Sequence, residues 1–280
     1  MIWLASYPKS GNTWLRLFLS HLTETEWDPE DLNSLRITNA ASRTVFDRAT
    51  GIEASDLTHA QIDLLRPRIY EQVAAGFDRH RFLKTHDAWT FNTAGEPILS
   101  TAAAAVYLVR NPLDVAVSFA HHQGIDVESV IRSMQDPAYT LCGQHTMLPS
   151  MTPTRLLSWE GHVRSWLDGA GVPVHVVRYE DMQARPLETF AKIVDFSGLE
   201  YTQIEIEAAL AACSFQRLQK LEKKTGFRER LSGSASFFRK GVVGSWRETL
   251  TAAQVQRLIT VHGGVMRRLS YLDEVGCPLY

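Results

Sequence analysis

The chain has 280 residues, 45% of them apolar and 21% charged, the composition of an ordinary globular protein. That balance excludes disordered, collagen-like and coiled-coil classes, and the length suits one large domain over residues 1–280. Net charge is −2 and the pI about 6.6, so bulk charge points to neither nucleic acid nor an anionic membrane surface; any bound anion must be held by local geometry. The three cysteines (Cys142, Cys213, Cys277) are odd in number and far apart, which excludes a disulfide framework or a CxxC-type zinc site and fits a reducing, cytoplasmic setting. Apolar runs such as Ala102–Val109 stop far short of the roughly 20 residues a membrane span needs. Ile2–Ala5 is too short for a signal-peptide core, and no basic segment precedes it. No membrane partner is expected.

The elements alternate. Ile2-Trp3-Leu4-Ala5-Ser6 reads as a strand, Tyr7-Pro8-Lys9-Ser10-Gly11 as a tight loop, and Trp14, Leu15, Leu17, Phe18 and Leu22 as an amphipathic helix. Residues 24–58 are polar and weakly periodic and read as a long loop. Ile62, Leu65, Ile69 and Val73 mark a helix over 61–75, and Arg81-Phe82-Leu83-Lys84 a second strand. Ala104–Val109 is a buried-strand pattern ending in Asn111-Pro112, an N-cap residue followed by proline at the first helical position. Residues 136–154, with Gly, Pro, Met and Thr, read as another long loop, of a length often used for lids. Val174–Val177 is the last clear strand. Pro186 opens a helix that Gly198 closes, and Thr202…Glu205 and Thr251…Gln254 have capping-box spacing. Apolar strands alternating with helices predict an α/β fold: a doubly wound parallel sheet with helices on both faces.

Ligands of such sheets sit at the carboxyl ends of the strands, which selects four segments. In Tyr7–Trp14, a strand-to-helix turn aims backbone N–H groups and a helix dipole at one point, Lys9 adds charge, Ser10 and Thr13 add hydroxyls, and Gly11 permits close approach. The order differs from GxxxxGK[ST], so this is a P-loop-like turn and not a Walker A loop. Lys84-Thr85-His86 places a histidine near a lysine at a strand end, as a base beside an anion clamp or simply as a terminal histidine. Arg110 ends the third strand and Ser118 lies two turns into the next helix; Arg110 suits either a phosphate or an ion pair with Asp114. Leu231–Trp246 holds Arg239-Lys240-Gly241 and reads equally as an anion-binding or a solvated loop.

Together these segments are similar to the ordered signature set of the soluble sulfotransferases. Lys9–Trp14, Lys84-Thr85-His86, Arg110…Ser118, Arg178-Tyr179-Glu180-Asp181-Met182 and Arg239-Lys240-Gly241…Gly244-Ser245-Trp246 stand in that family's order, from Ser6 to about Arg268. The resemblance implies transfer of a sulfuryl group from 3′-phosphoadenosine 5′-phosphosulfate (PAPS) to a hydroxyl or amine of a small-molecule acceptor, leaving adenosine 3′,5′-bisphosphate. It implies that Lys9, Ser10, Gly11, Asn12, Thr13 and Trp14 take the phosphosulfate end and the adenine edge. Arg110, Ser118, Arg239, Lys240 and Gly241 would take the 3′-phosphate, and Tyr179, Ser214 and Phe215 the base. His86 would be the catalytic base, with Lys9 and Lys84 neutralising charge on the sulfuryl oxygens and leaving phosphate. No metal and no nucleic acid enter this scheme. His121-His122 point apart on a helix, lack a matching carboxylate, and read as acceptor-pocket or surface residues.

The chain departs from the family pattern at several places. Cys213 stands where the family has threonine, Ser245 where it has aspartate, and Asp87-Ala88 replace Leu-Pro after the histidine. The dimerisation pattern is mostly altered at Arg247…Thr251-Ala252…Gln256, so no dimer is expected from it and the oligomeric state stays open. Three other readings compete: a P-loop kinase or nucleotidase, a non-catalytic module that binds the 3′,5′-bisphosphate, and a membrane-type carbohydrate sulfotransferase. The missing GK[ST] opposes the first, the histidine beside Lys84 the second, and a strand beginning at residue 2 the third. Trp89, Phe91, Phe119, Tyr139 and segment 136–154 are candidates for an apolar acceptor pocket or for core.

Overall fold

The computed structural model describes residues 1–24, 27–75, 82–99, 104–143, 148–231 and 233–280. Strand β1 (Ile2–Ser6) is buried throughout and runs into a five-residue turn and then α1 (Asn12–Thr23). After α2 (Arg43–Thr50) and α3 (His59–Ala75) come β2 (Phe82–Thr85) and β3 (Ala104–Val109). Helices α4 (Pro112–Gln123) and α5 (Val127–Gln135) precede the two-residue strands β4 (Thr140–Leu141) and β5 (Thr154–Arg155), which pair antiparallel. Then follow α6 (Trp159–Leu167), β6 (Val174–Arg178), α7 (Tyr179–Ala184), α8 (Pro186–Phe196), α9 (Gln203–Ala212), α10 (Phe215–Thr225) and α11 (Ala252–Arg268).

The main sheet has the order β2-β1-β3-β6, and β1 lies parallel to β2 with Ile2 opposite Phe82 and Ala5 opposite Thr85. This is the expected α/β class, a parallel sheet with helices around it. The non-sequential order places the turn after β1 at an inner strand, where converging strand ends make ligand crevices.

The chain forms two compact units, each built from separated segments. The first comprises Met1–Tyr7, Thr38–Tyr107 and Asp136–Val176; the second comprises Pro8–Ile37, Leu108–Gln135 and Val177–Tyr280. Aromatic packing dominates the first unit's core: Trp3 meets Tyr70 edge-on at 5.1 Å, and Trp166 stacks on Tyr107 at 5.8 Å. In the second unit Phe18 and Phe190 pack at 4.5 Å, with Trp14 at 5.2 Å from Phe190.

Several local expectations hold. Asn111 caps α4 by accepting from the Leu113 N–H at 3.0 Å, with Pro112 at the first helical position. Both capping boxes are present, at Thr202/Glu205 and Thr251/Gln254. Two expectations need correction. Residues 24–58 are not one long loop, because they include α2 and 3₁₀ turns at Leu32–Ser34 and Ala54–Asp56. Helix α2 escapes a periodicity reading because Phe46 is its one buried residue. Segment 136–154 is not wholly irregular either, since its two ends meet in the β4–β5 pairing; residues 144–147 lie outside the described residues, as does Arg81 at the edge of β2.

The capping boxes give a direct stability test. Thr202→Ala should cost about 1 kcal/mol of unfolding free energy, because the Glu205 N–H at the start of α9 loses its acceptor. Urea denaturation followed by circular dichroism checks this; an unchanged midpoint would mean that the cap carries no energy.

Candidate active site

The second unit holds most of the predicted anion-binding residues. Gly11 is the N-cap of α1 in the left-handed region (φ 96°) and offers no side chain, so no side chain caps the first N–H groups of the helix. The positive end of the α1 dipole lies at this turn and favours an anion. A Cβ on Gly11 would lie 2.8 Å from the Tyr179 ring, so glycine is required both for the backbone angle and for close packing. Lys9 also has positive φ (69°), which turns its carbonyl oxygen towards Arg110, whose guanidinium donates to it at 3.2 Å.

Arg110 gathers the site. It follows β3, donates also to the Val242 carbonyl at 3.1 Å, and lies over the Tyr179 ring at 4.3 Å. Its ion pair with Asp114 is loose, at 3.7 Å. Asp114 makes its shorter bonds elsewhere, accepting from the Gly244 N–H (2.8 Å), the Ser245 hydroxyl (3.0 Å) and the Trp246 N–H (3.1 Å). Thus Asp114 anchors the turn after Gly241 and neutralises Arg110 only partly. The same bonds explain Ser245: a carboxylate in its place would face the buried carboxylate of Asp114, whereas the hydroxyl donates to it.

Arg239 belongs to this cluster. Burial and then repulsion from Arg110 lower its pKa, so the two guanidiniums feel one another. The pKa of His121 is likewise lowered, first by burial and then by Arg239, with Lys9 contributing, which keeps its imidazole neutral near pH 7. The Lys9 ammonium sits 4.1 Å from the centre of the Phe237 ring. Phe237 and Phe238 are held by their N–H groups on the buried Glu222 carboxylate, at 2.6 and 2.9 Å. Gly241 has φ 63° and presses on the Phe215 ring, where a Cβ would come within 2.3 Å.

The remaining predicted residues are placed less centrally. Asn12 and Thr13 are buried at the start of α1, Ser118 is half-buried on α4, and Ser214 is the N-cap of α10. Lys240 is exposed and pairs with Glu248 at 2.5 Å, so its charge is already matched. The motif reading missed Asp114 as an anchor, and Glu222, His121 and Phe237 as neighbours of the basic groups. The spacing of four residues between Arg110 and Asp114 was the one available signal.

The donors in this unit suit a polyanion. Ser10 Oγ, Trp14 Nε1 and Arg110 Nε are buried donors without a hydrogen-bond partner among the described residues. A buried donor left without an acceptor costs about 1–3 kcal/mol. A helix dipole, two mutually repelling arginines and buried donors form a set that phosphate or sulfate oxygens would stabilise jointly.

The first unit holds Lys84 and His86. Lys84 is half-buried on β2, opposite Leu4, with its backbone bonded to Thr38 and Ala40. His86 follows β2, and its Nδ1 lies 2.7 Å from the Ser6 carbonyl oxygen. A carbonyl only accepts, so Nδ1 carries the proton, and in the neutral ring Nε2 carries the lone pair. The His86 carbonyl in turn accepts from His162 Nε2 at 3.1 Å, while His162 Nδ1 accepts from the Tyr107 hydroxyl at 2.8 Å. Burial pushes the His162 pKa down to about 4, so this second histidine is a neutral strut. Asp87 is fully buried and paired with Arg66. Trp89 and Phe119 are core, Phe91 is exposed and Tyr139 half-buried. Among the described residues no group of three or more His, Cys, Asp or Glu is arranged to hold a metal, and no helix is long and apolar enough to cross a membrane.

Comparison with known proteins identifies the family. The family model described as "Sulfotransferase domain" matches residues 1–270. Sulfotransferase 2A6 of Rattus norvegicus is 28% identical over 258 residues, covering 90% of this chain and 80% of the rat protein. Cytosolic sulfotransferase 13 of Arabidopsis thaliana is 28% identical over 260 residues, covering 89% of this chain and 71% of the plant protein. Among solved structures, a mouse sulfotransferase complexed with PAP (adenosine 3′,5′-bisphosphate) superposes with a TM-score of 0.61 at 21% identity, covering 98% of this chain and 86% of that one. A retinol dehydratase in complex with androsterone and PAP gives 0.61 at 20% identity, over 95% of this chain and 80% of that one. With the family model spanning nearly its whole length, the chain belongs to the sulfotransferase domain family, whose enzymes use PAPS as sulfuryl donor.

Proposed function

We propose that this protein moves the sulfuryl group of PAPS to the hydroxyl of a small, largely apolar alcohol or phenol by in-line displacement, with His86 as general base. PAPS, when bound, supplies the activated sulfuryl group and leaves as the 3′,5′-bisphosphate. One arrangement carries the nucleotide half of this reading: the positive end of the α1 dipole at Gly11, the buried donors Ser10 Oγ and Arg110 Nε, and the guanidiniums of Arg110 and Arg239, which repel one another, in one unit.

The loop N–H groups, Ser10, Thr13 and Lys9 would hold the phosphosulfate end, with Asn12 beside them. Arg110, Arg239 and the Gly241 turn would hold the 3′-phosphate, with Ser118 on α4 as a further donor. Tyr179, Trp14, Ser214 and Phe215 would bound the base. Lys240 would contribute through its backbone, because its ammonium is engaged by Glu248. Lys9, with Lys84 in the first unit, would offset negative charge that grows on the sulfuryl oxygens and the leaving phosphate, where fixed charge is most effective. The Nδ1–H bond to Ser6 fixes the tautomer that a base needs, leaving the lone pair on Nε2 to take the acceptor's proton. For the acceptor, the support is the aromatic composition of the first unit and the fold neighbours complexed with androsterone and with retinol.

Nucleotide discrimination tests the second phosphate site. Adenosine 3′,5′-bisphosphate should raise the melting temperature well beyond 5′-AMP, and Arg110→Ala should erase most of the difference, about 2–5 kcal/mol for a lost buried charge pair. Equal stabilisation by both nucleotides would remove Arg110 and Arg239 from the site.

Mutant kinetics separate the base from the clamp. His86→Ala should keep bisphosphate affinity within a few-fold while kcat on an alkyl alcohol falls roughly 10²–10⁴-fold. The acidic limb of its kcat–pH profile should vanish with the imidazole. Lys9→Ala should weaken both binding and turnover. Near-native turnover by His86→Ala on an alkyl alcohol would make this a strand-end histidine only.

A further inference from the structure

The turn that carries His86 is tied at each backbone polar group from the His86 carbonyl to the Ala88 N–H. The His86 carbonyl accepts from His162, the Asp87 N–H donates to Thr85 Oγ1 at 3.0 Å, the Asp87 carbonyl accepts from the Trp166 indole at 3.0 Å, and the Ala88 N–H donates to the Arg155 carbonyl at 2.7 Å. The Asp87 side chain is fully buried. Its Oδ1 accepts from the Arg155 N–H at 2.9 Å and from Arg66 NH1 at 3.2 Å, and its Oδ2 forms a close ion pair with Arg66 NH2. Arg66 is itself 1% exposed and also donates to Tyr70 (2.9 Å), Asp63 (3.3 Å) and the Pro153 carbonyl (3.4 Å). Asp63 then reaches Arg155 NH2 at 2.5 Å. Two carboxylates and two guanidiniums thus balance while joining α3, the His86 turn and β5.

Such a cluster is a poor means of gaining stability. Removing charges from water costs about as much as their attraction returns, and apolar residues of the same volume often serve as well or better. What the ion pair supplies is direction: Arg66 presents a fixed fork, and Asp87 can meet it with both oxygens in only one orientation of the turn. Asp87 is adjacent to His86 in sequence, so the orientation of one sets that of the other.

We propose that Asp87 and Arg66 are positioning residues for His86, and that their buried pair holds the imidazole with Nδ1–H on the Ser6 carbonyl and the lone pair on Nε2. This rests on the reading of His86 as base. The geometry also explains why an aspartate follows the histidine here, since the acid is built into the scaffold of the turn instead of lining an acceptor wall.

The test uses the full chain with ¹⁵N-labelled histidine, the His86 signals being assigned by their loss in His86→Ala. In the native protein at pH 8, His86 should show the single tautomer protonated at Nδ1; a single tautomer protonated at Nε2 would overturn the proposal without any further variant. Asp87→Asn should give a mixture of tautomers, a fall in kcat of about 10²-fold, and bisphosphate affinity within about threefold. Should Asp87→Asn not fold, the double replacement Asp87→Leu with Arg66→Met, which leaves no lone buried charge, should show the same mixture and the same loss of kcat at native-like stability. A folded variant of either kind with one native tautomer and native kcat would reduce the cluster to packing. If His86→Ala alone kept its turnover, the base reading would fail, while the tautomer measurement would still decide whether Asp87 positions the ring.

Discussion

A chain with a net charge of −2 that binds a polyanionic nucleotide must concentrate positive charge locally, and in the proposed site Arg110 is where this one would do so. Its guanidinium closes onto two backbone carbonyls, Lys9 and Val242, from two different loops, and lies over the Tyr179 ring. One planar fork therefore sets the spacing of the helix-capping turn and of the Arg239–Gly241 turn. Because both bonds go to neutral carbonyls and Asp114 stands 3.7 Å away, the charge is oriented without being quenched. Lysine could not take its place, having neither the planar fork nor the flat face.

The rest of the second unit follows from that constraint. Gly11 and Gly241 sit where aromatic rings, Tyr179 and Phe215, leave no room for a Cβ. Asp114 collects three donors from residues 244–246 and so fixes the return of the chain towards Arg110. Buried donors without protein acceptors weaken the unliganded protein by a few kcal/mol in all, a local cost that ligand oxygens would reverse. The first unit solves a different problem, orientation in place of charge. There a neutral, buried His162 and a balanced ionic cluster hold one turn in one pose.

The sequence was most legible where local physics decides structure. Asn111-Pro112, the two Thr-led capping boxes and the apolar strands at Ile2–Ser6 and Ala104–Val109 are short-range signals, and each appears where the pattern puts it. Helix α2 was hidden because one buried phenylalanine makes no period. The pairing of Thr140–Leu141 with Thr154–Arg155 depends on residues thirteen or more apart and leaves no local mark. In the candidate site, residue types marked Arg110, Arg239 and the Lys9 loop, but not which charges are already matched. Lys240 and Arg239 are neighbours in sequence, yet the first is held by exposed Glu248 while the second senses Arg110. Ser245 and Asp87 looked like losses from the family pattern, and in three dimensions both are donors or acceptors with specific partners.

Whether this chain transfers sulfur is decided by following the sulfur atom itself. PAPS labelled with radioactive sulfur would be incubated with the protein, a chelator, and a panel of sterol-like alcohols, phenols and amines. Label should appear in one acceptor class, with adenosine 3′,5′-bisphosphate released in equal amount. Bisphosphate binding with no labelled acceptor anywhere in the panel, or label released only as inorganic sulfate, would contradict sulfuryl transfer.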